Sequence, residues 1–338
     1  MKQLASIILA LGLLPVGPAL ADGGHHHQPA DHQASAPQSA EVKTNVSLSG
    51  NTLTITYGPL DLPTGHDGEL AASIPKHVFQ VPQDRYLVGY KSAIFTKDGA
   101  PLPRQYLHHI LLINLDKEGV SCPGEPLFFA GAGLEMNETK FPPGYGVKLG
   151  KDQKLMTIVA FYHGAPPTKD VMATFTMELA PKGTPVQELD VYQVGVNVVC
   201  YSKFDNRRQD ESDEGIEIQP GVQVDKAPLK FRMDGCVKFA YPHAHDQALL
   251  IALENKTKKQ TLLRTVPDVD PDGVFRSFQP HQVYRDGQGF EVNTKDDYEL
   301  VMVHHRPLQA PLLHHGMGNY LLYMTAGLCQ DTRTVLGH

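Results

Sequence analysis

The sequence predicts an all-β protein: two tandem antiparallel β-sandwiches, jelly-roll-like, in series. Three observations predict it. Thirty glycines and 26 prolines punctuate the chain. The segments between them that are rich in Val, Ile, Leu, Tyr and Phe are short, as strands are. No long stretch carries the 3.6-residue period of an amphipathic helix. Once the N-terminal segments are set aside, roughly 300 residues remain, enough for a large core and for two domains.

The chain opens Met1-Lys2-Gln3, followed by an apolar run from Leu4 to Leu14 and then Pro18-Ala19-Leu20-Ala21. A basic start, an apolar centre and an A-x-A site read as a secretory signal peptide over 1–21. The apolar run is too short to span a membrane, and no other stretch is long enough, so no membrane span is expected. The expected location is periplasmic or secreted. Residues 22–40 are rich in His, Gln, Ala and Pro and predict a disordered, His-rich tail. The net charge of −7, without a basic patch, argues against nucleic acid as a partner.

The strands follow in order. Residues 46–57 alternate and predict a hairpin turning at Gly50-Asn51. Segments 78–81, 86–95 and the strongly apolar 106–114 predict further strands. Residues 122–141, with Gly131-Ala132-Gly133 and Pro142-Pro143-Gly144 close by, read as loop. Segments 155–162, 173–179 and 191–200 predict strands. The charged stretch 203–215 has no apolar residue after Phe204 and is the natural linker, which divides the chain into sandwiches at 41–205 and 206–338. Segments 216–218, 231–241, 248–254, 260–266, 298–304 and 320–326 predict the strands of the second half.

Four cysteines, Cys122, Cys200, Cys236 and Cys329, form no C-x-x-C. In an exported chain an even count favours disulfides, with three pairings open. Cys122–Cys200 and Cys236–Cys329 keep each bridge inside one proposed domain; a buried free thiol is the bland alternative.

Seventeen histidines is a high count. His243-Ala244-His245 ends an apolar strand, and residues two apart on a strand share a face, so both imidazoles can grip one ion. His108 and His109 are adjacent within a strand and ordinarily point to opposite faces; both can serve one ion only if the backbone bulges or twists there, or if different ring nitrogens are used. His163 ends a strand before Gly164. Met317 sits between Gly316 and Gly318 just ahead of an apolar strand, an odd place for a core filler. A thioether is a soft ligand and points to copper. Taken singly, each of these residues has a structural reading as a satisfied core or loop side chain.

Together they resemble a family, the copper type II, ascorbate-dependent monooxygenases, which include peptidylglycine α-hydroxylating monooxygenase and dopamine β-monooxygenase. The likeness covers nearly all of 75–328. Leu107-His108-His109-Ile110-Leu111 is similar to the family's His-His strand. Phe129-Ala130-Gly131-Ala132-Gly133, then Phe141-Pro142-Pro143-Gly144-Tyr145-Gly146 and Phe161-Tyr162-His163-Gly164, resemble the path to its third His. His243-Ala244-His245 matches its His-x-His, and Met317 with Asn319 its Met-x-Asn. The resemblance implies two copper ions per chain, one on each sandwich. His108, His109 and His163 would hold one; His243, His245 and Met317 would hold the other, where O2 attacks a substrate C–H bond. The sites would face each other across a solvent-filled cleft, with ascorbate or another one-electron reductant as co-substrate.

There are departures. Where peptide-hydroxylating members place an Arg before the His-x-His and a Tyr after the Met, this chain has Tyr241 and Leu321; only Asn319 remains. Without the cation the natural carboxylate clamp is gone, so the expected partner is a small organic substrate other than a C-terminal glycine peptide. His304, His305, His314 and His315 match no family role; they are loop histidines, an altered shell around the site, or ligands competing with Met317. The tail histidines from His25 to His32 read as a loose metal-collecting arm or as solvated linker. The alternative to an enzyme is a copper-handling protein on the same scaffold. A zinc-binding adhesion-type sandwich is disfavoured by Met317.

Overall fold

The computed structural model describes residues 43–62, 76–134, 136–161, 167–196, 217–245, 247–269, 275–279, 289–308 and 316–329. In chain order the first half gives β1 (Thr44–Ser49), β2 (Thr52–Leu62), β3 (His77–Gln80), β4 (Arg85–Thr96), a short 3-10 turn (Arg104–Tyr106), β5 (Leu107–Glu118) and β6 (Pro126–Gly133). There follow β7 (Glu138–Lys140), β8 (Tyr145–Leu149), β9 (Lys154–Phe161), β10 (Thr168–Leu179), β11 (Gln187–Glu188) and β12 (Asp190–Val196). The second half gives β13 (Gly221–Leu229), β14 (Gly235–Ala244), β15 (Ala248–Asn255), β16 (Gln260–Val269), β17 (Phe275–Gln279), β18 (Phe290–Val292), β19 (Tyr298–Arg306) and β20 (Gly318–Ala326). The protein is all-β, and its sheets are antiparallel apart from the short β8–β11 pair. No α-helix occurs among the described residues.

The strands form four sheets among the described residues. One runs β1-β2-β10-β4-β8-β11 with β7 on β4, and a second runs β3-β9-β5-β6. They share a core that includes Ile55, Tyr57, Leu87, Tyr90, Ile110, Leu112, Phe161 and Phe175. The other two run β12-β20-β14-β18 and β13-β19-β15-β16-β17 and enclose a second core around Ile251, Leu253, Leu300, Met302, Tyr320 and Leu322.

The β12-β20-β14-β18 sheet is buried on both faces. Phe239, Tyr241, Leu321 and Tyr323 belong to the first core; Val237, Ala240, Leu322 and Met324 belong to the second. Period-2 alternation would put Val237 and Phe239 on one face. The register against β20 slips between them, and the inserted Lys238 turns Phe239 toward the first core. The buried Lys238 ammonium lies 5.4 Å from the centre of the Tyr145 ring. Burial on both faces is why these strands read as unbroken apolar runs. The edge strand β12 comes from residues ahead of the expected 205/206 boundary, which itself lies outside the described residues.

Two expectations need correction. Residues 122–141 are not loop throughout: they carry β6 and β7. Gly131 and its small neighbours are a close-packing device, since a Cβ on Gly131 would stand 3.2 Å from a Leu111 methyl. The strand expected at 216–218 is absent at 217–218, residue 216 being outside the described set, and pairing resumes only at β13. The hairpin at 46–57 forms, turning at Gly50-Asn51.

Cys236 and Cys329 are bonded, joining the start of β14 to the segment after β20. Cys122 is also disulfide-bonded; Cys200, its expected partner, lies outside the described residues. The signal-peptide and tail segments, 1–21 and 22–40, lie outside them too. No described helix is long and apolar enough to cross a membrane.

Candidate metal centre

The first pair of imidazoles is made by a bulge. Against β9, Leu107 pairs with Phe161 and His109 with Ala160, so His108 is the inserted residue. Adjacent side chains that would diverge on a regular strand are thereby brought together: the His108 and His109 ring centres are 4.4 Å apart. The second pair follows from regular alternation. His243 and His245 share a face at the end of β14, with ring centres 5.1 Å apart and planes at 89°.

β20 completes this end. His243 stands opposite Asn319 and Ala244 opposite Gly318, and the His245 N–H donates to the Met317 carbonyl at 3.3 Å. Met317 is therefore the cross-strand neighbour of His245, and Asn319 that of His243. One pair further along, Tyr241 faces Leu321, both inside the first core. The Tyr241 ring lies 6.5 Å from that of Tyr90.

The two pairs meet. His108 lies 5.2 Å from His245 and 6.3 Å from His243, ring centre to ring centre. These four imidazoles, two from each expected ligand set, form one cluster. The cause is the apolar seam behind them. Phe141 packs on Tyr323 and Phe239, the Tyr90 and Tyr323 hydroxyls are 3.1 Å apart, and the Tyr323 hydroxyl donates to the Phe129 carbonyl at 2.9 Å. Burial pushes the Tyr323 phenol well above its ordinary range.

Burial, reinforced by His108, His243 and His245, holds the His109 pKa well below its ordinary value. A neutral imidazole can offer a lone pair to a metal. The rings meet edge to face, and no three His, Cys, Asp or Glu side chains among the described residues converge as a preformed cation site. The donor chemistry nonetheless fits copper: several imidazoles, with a thioether residue next to the adjoining strand. His163 lies outside the described residues; β9, which leads to it, ends at Phe161 opposite Leu107.

Of the four histidines without a family role, His305 is exposed, His314 and His315 lie outside the described residues, and His304 is fully buried. His304 Nδ1 lies 3.3 Å from an Asp225 carboxylate oxygen. That pair, with Arg306 and Gln247 beside it, escaped sequence reading. The signal was available, because Tyr298, Leu300, Met302, His304 and Arg306 alternate as one inner face.

No protein-family model matches this chain, and no curated protein matches it. Among solved structures it is similar to the STIV MCP at 8% identity, over 82% of this chain and 98% of that one, with a TM-score of 0.33. It is also similar to a chain from Parabacteroides distasonis ATCC 8503 at 10% identity, over 85% and 93%, with a TM-score of 0.17. Neither likeness bears on function.

Proposed function

We propose that this is an exported copper-dependent monooxygenase that hydroxylates a C–H bond of a small organic substrate, using O2 and an external reductant such as ascorbate. The observation that carries the reading is the joining of His108-His109 and His243-x-His245 into one cluster, with Met317 tied to His245 through the backbone. His108, His109, His243, His245 and Met317, together with His163, would hold two copper ions in one neighbourhood. Bound copper would supply the electron transfer and oxygen activation that amino-acid side chains lack.

The chain's own residues define the rest. Met317 offers a soft sulfur, which favours reduced copper. The Asn319 amide, opposite His243, can hydrogen-bond a substrate polar group. Tyr241 sits in the apolar core and presents no charge, so a neutral substrate is favoured over a carboxylate. The test is ascorbate-driven oxygen consumption by the copper-loaded protein across a panel of small neutral substrates. Substrate-stimulated uptake with a hydroxylated product is expected.

The second reading, a copper-handling protein, is favoured by one specific observation: His108 stands only 5.2 and 6.3 Å from His245 and His243, ring centre to ring centre. On that reading copper binds and exchanges, and no substrate stimulates oxygen uptake.

A further inference from the structure

β13 inverts the usual pattern. Its outward face carries Val222 and Val224, 68% and 52% exposed, while Gln223 and Asp225 point inward. The cause is on the neighbouring strand. β19 turns Tyr298, Leu300 and Met302 into the second core, and the same face continues with His304 and Arg306, 0% and 9% exposed. The end of this sandwich is therefore polar inside.

The polar groups are only half satisfied. The Gln223 amide nitrogen donates to both Asp225 oxygens, at 3.0 and 3.1 Å, and His304 Nδ1 faces the same carboxylate. With the Nδ1 proton given to Asp225, His304 Nε2 is an acceptor, and it has no partner. Gln247, 5% exposed, is fixed at the same corner because its carbonyl accepts the His305 N–H at 2.8 Å; its side-chain oxygen also has no partner. Among the described residues, Arg306 Nε and Nη1 meet no acceptor. Each such buried atom left unpaired is destabilising, more so on a cation. Arg306 pairs with Gly221, where an added Cβ would meet nothing within 4 Å.

We propose that Arg306, His304 and Gln247 form a binding site for a small oxyanion that also carries a hydroxyl, such as hydrogen phosphate or an α-hydroxycarboxylate. Arg306 requires an acceptor and brings a positive charge, which selects an anion and disfavours a second metal ion. His304 Nε2 and the Gln247 oxygen require donors, which a bare oxyanion lacks and a hydroxyl supplies. The site stands on different residues from the histidine cluster and does not depend on the copper reading.

The test is a titration of the full chain, with and without copper, near neutral pH and at constant ionic strength. The probes are inorganic phosphate against sulfate, and glycolate against acetate, read by calorimetry and by thermal unfolding. Saturable stabilisation by phosphate or glycolate is expected, exceeding that by sulfate or acetate and independent of copper. In Arg306→Gln the apparent affinity should fall roughly tenfold or more. Should that variant fail to fold, Gln247→Leu keeps the charge and should erase part of the preference for the hydroxylated anion. An absent or non-saturating response, an equal response in Arg306→Gln, or sulfate matching phosphate would overturn the proposal; the last two outcomes mean an adventitious ion only.

Discussion

His108 and His109 are neighbours in space because one residue is inserted opposite β9. The need for a bulge was legible from two adjacent histidines in an apolar strand; the register slip itself was not, since it is set by β9. Met317 was legible from its glycine flanks. It is only half-buried, so Met317→Leu, close to volume-conserving, should cost less than about 1.5 kcal/mol of stability. The same variant should lose a sulfur contact to copper, visible by X-ray absorption of the reduced protein. A variant that fails to fold would make Met317 a packing residue after all.

His304 allows a signed pH prediction. Burial lowers its pKa below the ordinary value, and Asp225 opposes that shift only in part. The unfolded chain therefore takes up the proton first, so stability from this group is full above about pH 6.5 and is lost as pH falls toward the folded-state pKa. The slope in that window is at most about 1.4 kcal/mol per pH unit for one proton. His109, shifted in the same direction, adds to the wild-type loss. Urea midpoints measured from pH 7 to 5 should fall less steeply in His304→Gln than in wild type; parallel slopes would mean that His304 does not titrate differently on folding.

Among the elements, β20 carries a demanding contact. A Cβ on Gly318 would collide with the Met302 sulfur, so the Met302 side chain of β19 fills the space that a Cβ on β20 would need. Gly318→Ala should cost about 1–3 kcal/mol and, by pushing on the strand between Met317 and Asn319, weaken copper retention. Pairing it with Met302→Ala should recover part of both, measured by denaturant unfolding and metal content. The glycine's position was readable in sequence; its partner sulfur was not, because Met302 comes from another sheet. β13 was unreadable for a different reason. Its valines face solvent and its polar residues face His304, so the pattern that marks a half-buried strand runs backwards. In β6 a Gly/Ala run that reads as loop is a strand, because small residues let it lie against Leu111.

For the whole molecule, the all-β class and paired cores followed from composition and strand length. The sharing of one sheet between two cores did not, because it depends on which face each aromatic takes after the Lys238 bulge. That shared sheet is what carries His243 and His245 up to His108. The Cys236–Cys329 bond closes 93 residues across the sheet's end. Cys236→Ser with Cys329→Ser should cost about 4.6 kcal/mol by loop entropy while leaving β14–β20 pairing, and copper binding below the melting point, in place. Thermal unfolding and metal content check the two parts separately.

The central claim is that the clustered histidines and Met317 hold copper together. The most direct measurement is copper content of the full chain, combined with X-ray absorption of the reduced form, on wild type, His108→Ala, His245→Ala and Met317→Leu. Copper bound by imidazole with one sulfur scatterer is expected, with the sulfur lost in Met317→Leu and the copper content lowered in both histidine variants. Copper that binds without sulfur, or that is indifferent to His108 and His245, would contradict it.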